Sequence, residues 1–207
     1  MIEAIDKEKL LTVEEYYKLE ESATQKHEFN HGKLTPMPGG SISHNRIKGN
    51  IFFSLKSFSK QVDKAIEVLD SDQKIYVPDY DSHVYSDTCV IIGKPKLLSK
   101  AKQAVTNPAL IVEVLSDSTG RYDRGQKFLK YKSLPSFAEY VLIEQDMPMV
   151  DVITKKEDNW IIKTYVGLED TVVLESIGCE IPMADIYENV EDLENPQGVL
   201  DFEEKIE

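Results

Sequence analysis

Residues 109–115 read Ala-Leu-Ile-Val-Glu-Val-Leu, and this apolar run decides the fold. About four to eight apolar, largely β-branched residues between turn-forming residues are typical of a buried strand. A second run of this kind covers residues 85–92, Tyr-Ser-Asp-Thr-Cys-Val-Ile-Ile. We therefore expect a central sheet that contains both runs as buried strands.

Each run contains one acidic residue, Asp87 in residues 85–92 and Glu113 in residues 109–115. A carboxylate on a buried strand is unfavourable unless a base, a cation or a metal ion compensates its charge. Two such strands suggest that both acids share one site. The alternative is that each acid ends a strand or pairs separately with an Arg or Lys. Because each acid would be a buried charge, its removal is expected to leave folding intact or to improve it.

Length and composition predict one folded domain with a short tail. The chain has 207 residues, of which 41% are hydrophobic and 9% aromatic, so it is long enough to form a full core without disulfides or metals. We expect a single domain over residues 1–190 and an acidic, frayed C-terminal tail over residues 191–207. Cys89 and Cys179 lie in apolar contexts without CxxC spacing, which predicts reduced core thiols.

Charge and hydropathy limit the possible partners. No window approaches the roughly 20 apolar residues of a membrane span, and the first residues lack a signal-peptide pattern, so we expect a cytoplasmic protein without a membrane partner. The net charge of −13 disfavours nucleic acid as a partner. Residues 94–132 reverse this sign, with nine Lys and Arg against three acids, and they surround Glu113. This stretch permits a polyanionic ligand, although a charge run is usually a solvated face.

The remaining pattern predicts an α/β domain. Thr12 and Glu15 form the capping-box pattern that begins a first helix, and Ser43 is expected to cap a second one. A hairpin is expected over residues 27–38, and a third helix over residues 123–133. Further strands are expected over residues 66–69, 75–77, 140–144, 150–154, 160–165 and 171–174. Together these elements predict a mixed central β-sheet flanked by helices, with additional antiparallel strands toward the C-terminus.

The two acids match the chemistry of metal-dependent nucleases. Such nucleases have an acid on one strand and the sequence Glu-x-Lys on the next. The two carboxylates hold Mg²⁺, which prefers oxygen ligands. The metal lowers the pKa of an attacking water, and the lysine orients that water or stabilises the developing anion. Here Leu115 occupies the lysine position. Lys127, on the helix that follows, is the nearest replacement, and the alternative is a lysine that lies on its stem at a core boundary.

The same region resembles the Uma-two family of restriction-endonuclease-like proteins, which belongs to the PD-(D/E)XK superfamily. The resemblance is carried by residues 107–116, Ser118-Thr119, Tyr122-Asp123-Arg124-Gly125, Lys127-Phe128 and Tyr131. It covers roughly residues 11–187 and includes Tyr85-Ser86-Asp87, where the family usually has Tyr-Pro-Asp. It implies a restriction-endonuclease-like fold, Mg²⁺-dependent cleavage of DNA and a homodimer.

The resemblance also assigns roles to individual residues. It makes Asp87 and Glu113 the ligands of Mg²⁺, for which Mn²⁺ can substitute, and Lys127 the displaced lysine. Glu28 matches a family acid in the first hairpin and is a further catalytic candidate, the alternative being a surface acid. The candidates for contact with DNA are His44, Arg46, Arg121 and Arg124. A phosphate could meet free backbone N–H groups near His44, which could equally be a polar residue near a helix cap.

Two other functions stay open. The first is a nuclease-like fold that binds nucleic acid or protein without cutting, which Leu115 favours and the pairing of Asp87 with Glu113 disfavours. The second is a zinc metalloprotease, because residues 27–31 read His-Glu-Phe-Asn-His and match HExxH. That motif requires a helix, and Gly32 directly after it favours a turn.

Overall fold

The computed structural model describes residues 10–98 and 104–196. The strands are β1 (His27–Asn30), β2 (Lys33–Pro36), β3 (Ile66–Asp70), β4 (Lys74–Val77), β5 (Ser82–Tyr85), β6 (Thr88–Ile92), β7 (Leu110–Leu115), β8 (Glu139–Glu144), β9 (Met149–Lys156), β10 (Asn159–Val166), β11 (Thr171–Leu174) and β12 (Cys179–Pro182). The helices are α1 (Val13–Ser22), α2 (Ile42–Ser59), α3 (Gly120–Tyr122), α4 (Phe128–Lys132) and α5 (Met183–Ile186). A 3₁₀ turn covers Pro78–Tyr80, and a π-helical turn, Asp123–Lys127, joins α3 to α4.

A mixed sheet of six strands, in the order β10-β9-β8-β7-β6-β3, forms the centre of the fold. Strands β7 and β8 run parallel, and the other neighbouring pairs run antiparallel. Every residue of β7 is buried. The mixed sheet, the helices and the further antiparallel sheets confirm the predicted α/β class, and residues 109–115 contain the predicted buried strand.

Strand β7 divides its apolar side chains between two hydrophobic cores. Val112 and Val114 belong to the core that includes Ile47 and Ile51 of α2. Ile111 and Leu115 belong to the other core, together with Tyr131 of α4 and Leu142 of β8. Because side chains alternate along a strand, Glu113 lies on the face of Ile111 and Leu115, toward the helical segment that follows β7.

A second sheet, antiparallel and in the order β2-β1-β5-β4, explains where the sequence prediction was wrong. Residues 85–92 were expected to form one strand. Instead Tyr85 ends β5 in the four-stranded sheet, and Thr88 begins β6 in the six-stranded sheet. The hydropathy pattern does not mark the break between β5 and β6, because the residues on both sides of it are buried. Ser86 and Asp87 form the crossing between the two sheets.

The helix starts follow from side-chain caps. The capping box of α1 is confirmed, since Thr12 Oγ1 accepts from the N–H of Glu15 at 3.2 Å and the Glu15 carboxylate accepts from the N–H of Thr12 at 2.8 Å. The predicted cap of α2 was wrong. Ser41 caps that helix, because its Oγ accepts from the N–H of His44 at 3.0 Å, whereas Ser43 already lies within the first turn.

The remaining sequence predictions have mixed outcomes. Cys89 and Cys179 are buried and free, as predicted. Part of the expected tail contacts the domain. Leu193 packs against the core that includes Ile47 and Ile51, and the N–H of Glu194 donates to the Asp146 carbonyl at 2.7 Å. Residues 197–207 of that tail lie outside the described residues, as do Lys100 and Lys102 of the basic stretch. Among the residues that the structure describes, no helix has the length and apolar character needed to cross a membrane.

Candidate active site

Polar side chains from five parts of the fold meet at one cavity of about 390 Å³. They are Glu28 of β1, His44 of α2, Asp87 of the crossing, Glu113 of β7, and Asp123 and Lys127 of the π-helical turn. Four of them are carboxylates, and Lys127 is the only Lys or Arg among the described residues that line the cavity. The cavity therefore concentrates negative charge around one ammonium group.

Lys127 lies at the centre of this group. Its Nζ is 2.9 Å from Glu113 Oε1, 3.2 Å from Asp123 Oδ1 and 3.8 Å from Glu28 Oε1. Burial acts to lower the pKa of Lys127, but these carboxylates outweigh it and hold the pKa well above its ordinary value. The side chain is consequently an ammonium that donates hydrogen bonds. The sequence left open a lysine at a core boundary, whereas the structure places Nζ inside the cavity.

Glu113 and Asp123 are the two most buried of the described acids in the site. Glu113 Oε1 also accepts from the Tyr131 hydroxyl at 3.2 Å, and its Oε2 accepts from the N–H of Asp87 at 3.4 Å. Burial raises the pKa of Glu113 well above its ordinary value, and although Lys127 opposes this change, the charges of Asp123 and Asp87 add to it. Glu113 therefore carries its charge at a cost in stability, as expected for a group that a further cation would relieve.

Asp87 has a different environment from Glu113. Its Oδ2 accepts from the N–H of Val114 at 2.8 Å and lies 3.4 Å from Nε2 of His44. Burial acts to raise the pKa of Asp87, but the contacts with His44 and Val114 outweigh burial, so the pKa lies below its ordinary value. Asp87 is therefore stabilised as a carboxylate before any ligand binds.

His44 is held beside Asp87 by the loop that precedes α2. A Cβ atom at Gly40 would lie 2.7 Å from His44 Nδ1, so only glycine lets the imidazole keep this position. Nδ1 is buried and has no hydrogen-bond partner within the described parts of the chain. Nε2 of the ring is thus directed at Asp87, and Nδ1 is left without a hydrogen bond among the described residues.

Glu28 is a buried member of the site, although it belongs to a hairpin. Its Oε2 accepts from the Tyr122 hydroxyl at 2.8 Å, and its Oε1 accepts from the N–H of Tyr85 at 3.4 Å. Tyr122 in turn accepts from Lys130 Nζ at 3.0 Å. The alternative of a surface acid is wrong, because the structure buries Glu28 beside Lys127.

The π-helical turn explains how Asp123 and Lys127 reach the same cavity. Both side chains are buried, and they form an ion pair four residues apart. A π-helical turn accommodates one more residue than an α-helical turn, and such turns are frequent at functional sites. The predicted helix over residues 123–133 is therefore present but starts earlier, at Gly120, and widens where it passes the cavity.

The donor set of the cavity fits a magnesium-type ion. Within the described residues, no group of three or more His, Cys, Asp or Glu is placed to hold a metal ion, which disagrees with a closed zinc cage. Mg²⁺ usually binds through one or two carboxylates and keeps several waters. Asp87 and Glu113 supply two carboxylates to the same cavity. The Asp87 N–H donates to Glu113 Oε2 at 3.4 Å, and the N–H of Val114, next to Glu113, donates to Asp87 Oδ2 at 2.8 Å.

The structure does not bring the predicted arginines into the cavity. Arg46 lies 3.4 Å from Glu191, and Arg124 pairs with Glu144 and, at 2.7 Å, with Asp151. Arg121 is exposed, and none of the three arginines lines the cavity. Of the four residues predicted to contact DNA, only His44 belongs to the site.

The HExxH match fails on geometry. Residues His27–Asn30 form β1, and His31 lies in the following turn with φ of 47°. His27 Nδ1 faces Glu20 at 3.2 Å, and His31 is exposed. The two imidazoles therefore do not lie one helical turn apart, and the zinc-protease alternative is wrong.

Sequence reasoning missed three residues of the site, namely Asp123, Tyr122 and Tyr131. All three occur in the stretch that carries the family resemblance, which assigns them no role in the site. The four-residue spacing of Asp123 and Lys127 was the available signal, but on an ordinary helix it indicates an exposed ion pair.

Three comparisons relate the chain to known proteins. The Uma2 family model, described as "Putative restriction endonuclease", matches residues 13–184. The uncharacterized protein sll1609 of Synechocystis sp. is 38% identical over 160 residues, which cover 77% of this chain and 89% of that protein. The uncharacterized protein slr1290 of the same organism is 34% identical over 179 residues, which cover 86% of this chain and 91% of that protein.

A solved structure is similar in fold. It is the crystal structure of a putative nuclease belonging to DUF820 from Anabaena variabilis, and the TM-score is 0.67 at 16% sequence identity. The match covers 86% of this chain and 97% of the Anabaena chain. This likeness bears on the fold and confirms the predicted nuclease-like architecture.

Proposed function

The chain belongs to the Uma2 family of putative restriction endonucleases, and from this premise we propose that it hydrolyses phosphodiester bonds of DNA with the help of a divalent cation. The observation that carries the proposal is the cavity in which Asp87, Glu113 and Lys127 meet. An excess of buried carboxylates beside one ammonium favours a bound cation, and a bound cation attracts a phosphate.

Asp87 and Glu113 would hold Mg²⁺, for which Mn²⁺ can substitute. When bound, the cation supplies a water of lowered pKa and neutralises charge on the phosphate oxygens. The pKa of Asp87 lies below its ordinary value, which favours cation binding, and the contact with His44 keeps its carboxylate oriented. His44 is in this view a positioning residue for Asp87.

Lys127 would supply the hydrogen-bond donor that a nuclease needs near the reacting phosphate. Lys127 reaches Glu113 from the π-helical turn. Leu115, at the usual lysine position, packs in the core that contains Tyr131 and Leu142. Asp123 and Glu28 hold the ammonium group in place, and Tyr122 fixes Glu28. Glu28 can also orient a water in the cavity, because its carboxylate lines the wall.

A divalent-metal titration of cleavage tests the proposal. We expect wild-type protein to cut at least one of two DNA substrates, a plasmid and a single strand, in Mg²⁺ or Mn²⁺, and Asp87→Ala to cut neither. Lys127→Met should lose about 10²- to 10³-fold in turnover, the usual effect of removing one donor to a developing oxyanion. Asp158→Asn is the control for the loss of one acid, because Asp158 is exposed in the turn between β9 and β10.

A binding module without catalysis is the second candidate. The observation that favours it is Leu115, which is 2% exposed and leaves the usual lysine position without a polar group. A tight DNA complex with no turnover in either metal would support this candidate and contradict the proposed hydrolysis. Equal cleavage by wild type and Asp87→Ala would contradict the assignment of the metal ligands.

A further inference from the structure

We propose that the phosphodiester bond enters this site on a single-stranded or frayed segment of nucleic acid and not within a continuous duplex. The inference rests on the proposed function, because it names the substrate that the cavity accepts. Four features of the described residues support it: the depth of the reacting groups, the size of the cavity, the charge of its lining and the apolar surface of its rim.

The reacting groups lie too deep for a duplex that stays on the surface. The side chains of Glu113 and Lys127 are 4% and 6% exposed, whereas those of Asp87 and His44 are 14% and 15% exposed. A phosphate of an intact duplex could approach Asp87, but it would have to enter the cavity to lie between Asp87 and Lys127. A flexible strand can make that movement without breaking base pairs.

The cavity has the size of a small-ligand site. Its volume of about 390 Å³ lies near the lower end of the range of about 300–1,000 Å³ that is typical of such sites. Residues 35–41 and 116–119 form its rim, together with Ser71 and Gln145. A space of this size accepts a unit such as one nucleotide. A duplex is too large for it, because the major groove of B-DNA alone is about 12 Å wide.

The charge of the lining disfavours a duplex. Five acids line the cavity, namely Glu28, Asp87, Glu113, Asp117 and Asp123, and among the described lining residues Lys127 is the only Lys or Arg. Proteins that hold duplex DNA place Lys and Arg along many phosphates. Here a bound cation would attract one phosphate, and the acidic lining would repel the neighbouring phosphates of a second strand.

The rim also provides apolar surface for an unstacked base. Pro36 at the end of β2 and the adjacent Met37 and Pro38 line it, and the half-buried Tyr122 beside them in the cavity contributes an aromatic ring. Stacking on aromatic side chains is how proteins bind single strands of any sequence. An unpaired nucleotide could therefore be held beside the cation without a basic groove.

Cleavage of matched DNA substrates tests the inference. The substrates are a labelled single strand, the same sequence as a duplex closed by hairpins at both ends, and that duplex with an internal single-stranded gap. Opening a duplex requires a few kcal/mol, so we expect the single strand and the gap to be cut about tenfold faster or more. Equal or faster cleavage of the closed duplex would overturn the inference and leave the proposed function standing. Cleavage of no substrate would overturn both.

A pair of glycine variants tests entry through the cavity. A Cβ atom at Gly39, in the rim, or at Gly49, on α2, would meet no atom within 4 Å, so both positions have space for a larger side chain. We expect Gly39→Trp to lose at least about tenfold in cleavage of the single strand, with the thermal unfolding temperature unchanged. Gly49→Trp should cut like wild type, because Gly49 does not line the cavity. Equal cleavage by the two variants would overturn the proposed route.

Discussion

At the residue scale, Asp87 and Glu113 differ in the contacts that stabilise their charged forms. Asp87 accepts from a backbone N–H and faces His44, and its pKa lies below the ordinary value even though burial acts to raise it. Burial raises the pKa of Glu113, and the Lys127 ammonium that opposes this change is shared with two other acids. The sequence alone predicts the same behaviour for both acids, namely that the removal of either leaves folding intact or improves it. The structure supports that expectation for Glu113 alone.

The two acids should therefore have opposite effects on stability. In metal-free protein at pH 8, we expect Glu113→Gln to raise the free energy of unfolding by about 1 kcal/mol, because it removes a buried charge, keeps an acceptor for Tyr131 and leaves Lys127 paired with Asp123 and Glu28. Asp87→Asn should lower it by about 1 kcal/mol, because the contacts of Asp87 favour its charged form. Urea unfolding measures both values. A loss of stability in Glu113→Gln would show that its pairing with Lys127 outweighs its burial.

At the scale of elements, the sequence predicted best where one local signal was sufficient. Strand β7 is marked by its apolar run, and α1 by its capping box. The crossing at Ser86 and Asp87 could not be predicted, because burial on both sides made two strands of different sheets look like one. The π-helical turn was also missed, since no spacing in residues 120–132 marks where a helix widens. The apolar runs single out Asp87 and Glu113, and the missing lysine at Leu115 leads to Lys127, but the position of Asp123 depends on that turn.

A one-residue deletion tests the role of the π-helical turn. Deleting Gly125 should convert the turn to α-helix and rotate one end of the segment by about 100° per residue, which turns Asp123 or Lys127 away from the cavity although the two stay neighbours on the helix. We expect cleavage to fall about 100-fold, the effect of a small misplacement of reacting groups, with helix content unchanged by circular dichroism. Gly125→Ala is the matched control, because a Cβ atom there meets nothing within 4 Å and alanine favours a helix. Full activity of the deletion variant would make the turn dispensable.

His83 of β5 predicts how acid affects the four-stranded sheet. It is buried among aromatic rings and one lysine, namely Tyr16, Tyr17, Phe29, Tyr76 and Lys74. Burial, and to a smaller extent Lys74, lower the pKa of His83 from 6.5 to about 4. The unfolded chain thus binds more protons between these values, and His83 contributes its full stability only above pH 6.5.

We therefore expect the free energy of unfolding to fall as the pH drops from 6.5 to 4, by on the order of 3 kcal/mol from His83. His83→Gln should show a shallower fall over this range, whatever its stability at pH 7. His31→Asn is the control, because His31 is exposed and asparagine tolerates the positive φ of that turn. Urea unfolding at a series of pH values measures the slopes, and equal slopes in His83→Gln and wild type would contradict the expectation.

At the scale of the whole molecule, the site depends on both large sheets at once. Glu28 comes from the four-stranded sheet, Glu113 from the six-stranded sheet, and Asp87 from the crossing between them. The homodimer expected from the family resemblance stays a prediction, as does the cytoplasmic location. We expect light scattering to give twice the chain mass of 23.6 kDa. A mass of one chain under the conditions of DNA cleavage would show that each copy acts alone.

The buried carboxylates of the cavity also bear on how this chain can evolve. A fold that gains stability when Glu113 is neutralised retains that acid only while selection acts on what the acid does. A library of substitutions at residue 113, sorted once for stability and once for cleavage, should therefore enrich different residues. Stability sorting would favour neutral side chains, and sorting for activity would return glutamate or aspartate. In this chain the trade-off between activity and robustness is concentrated at one position.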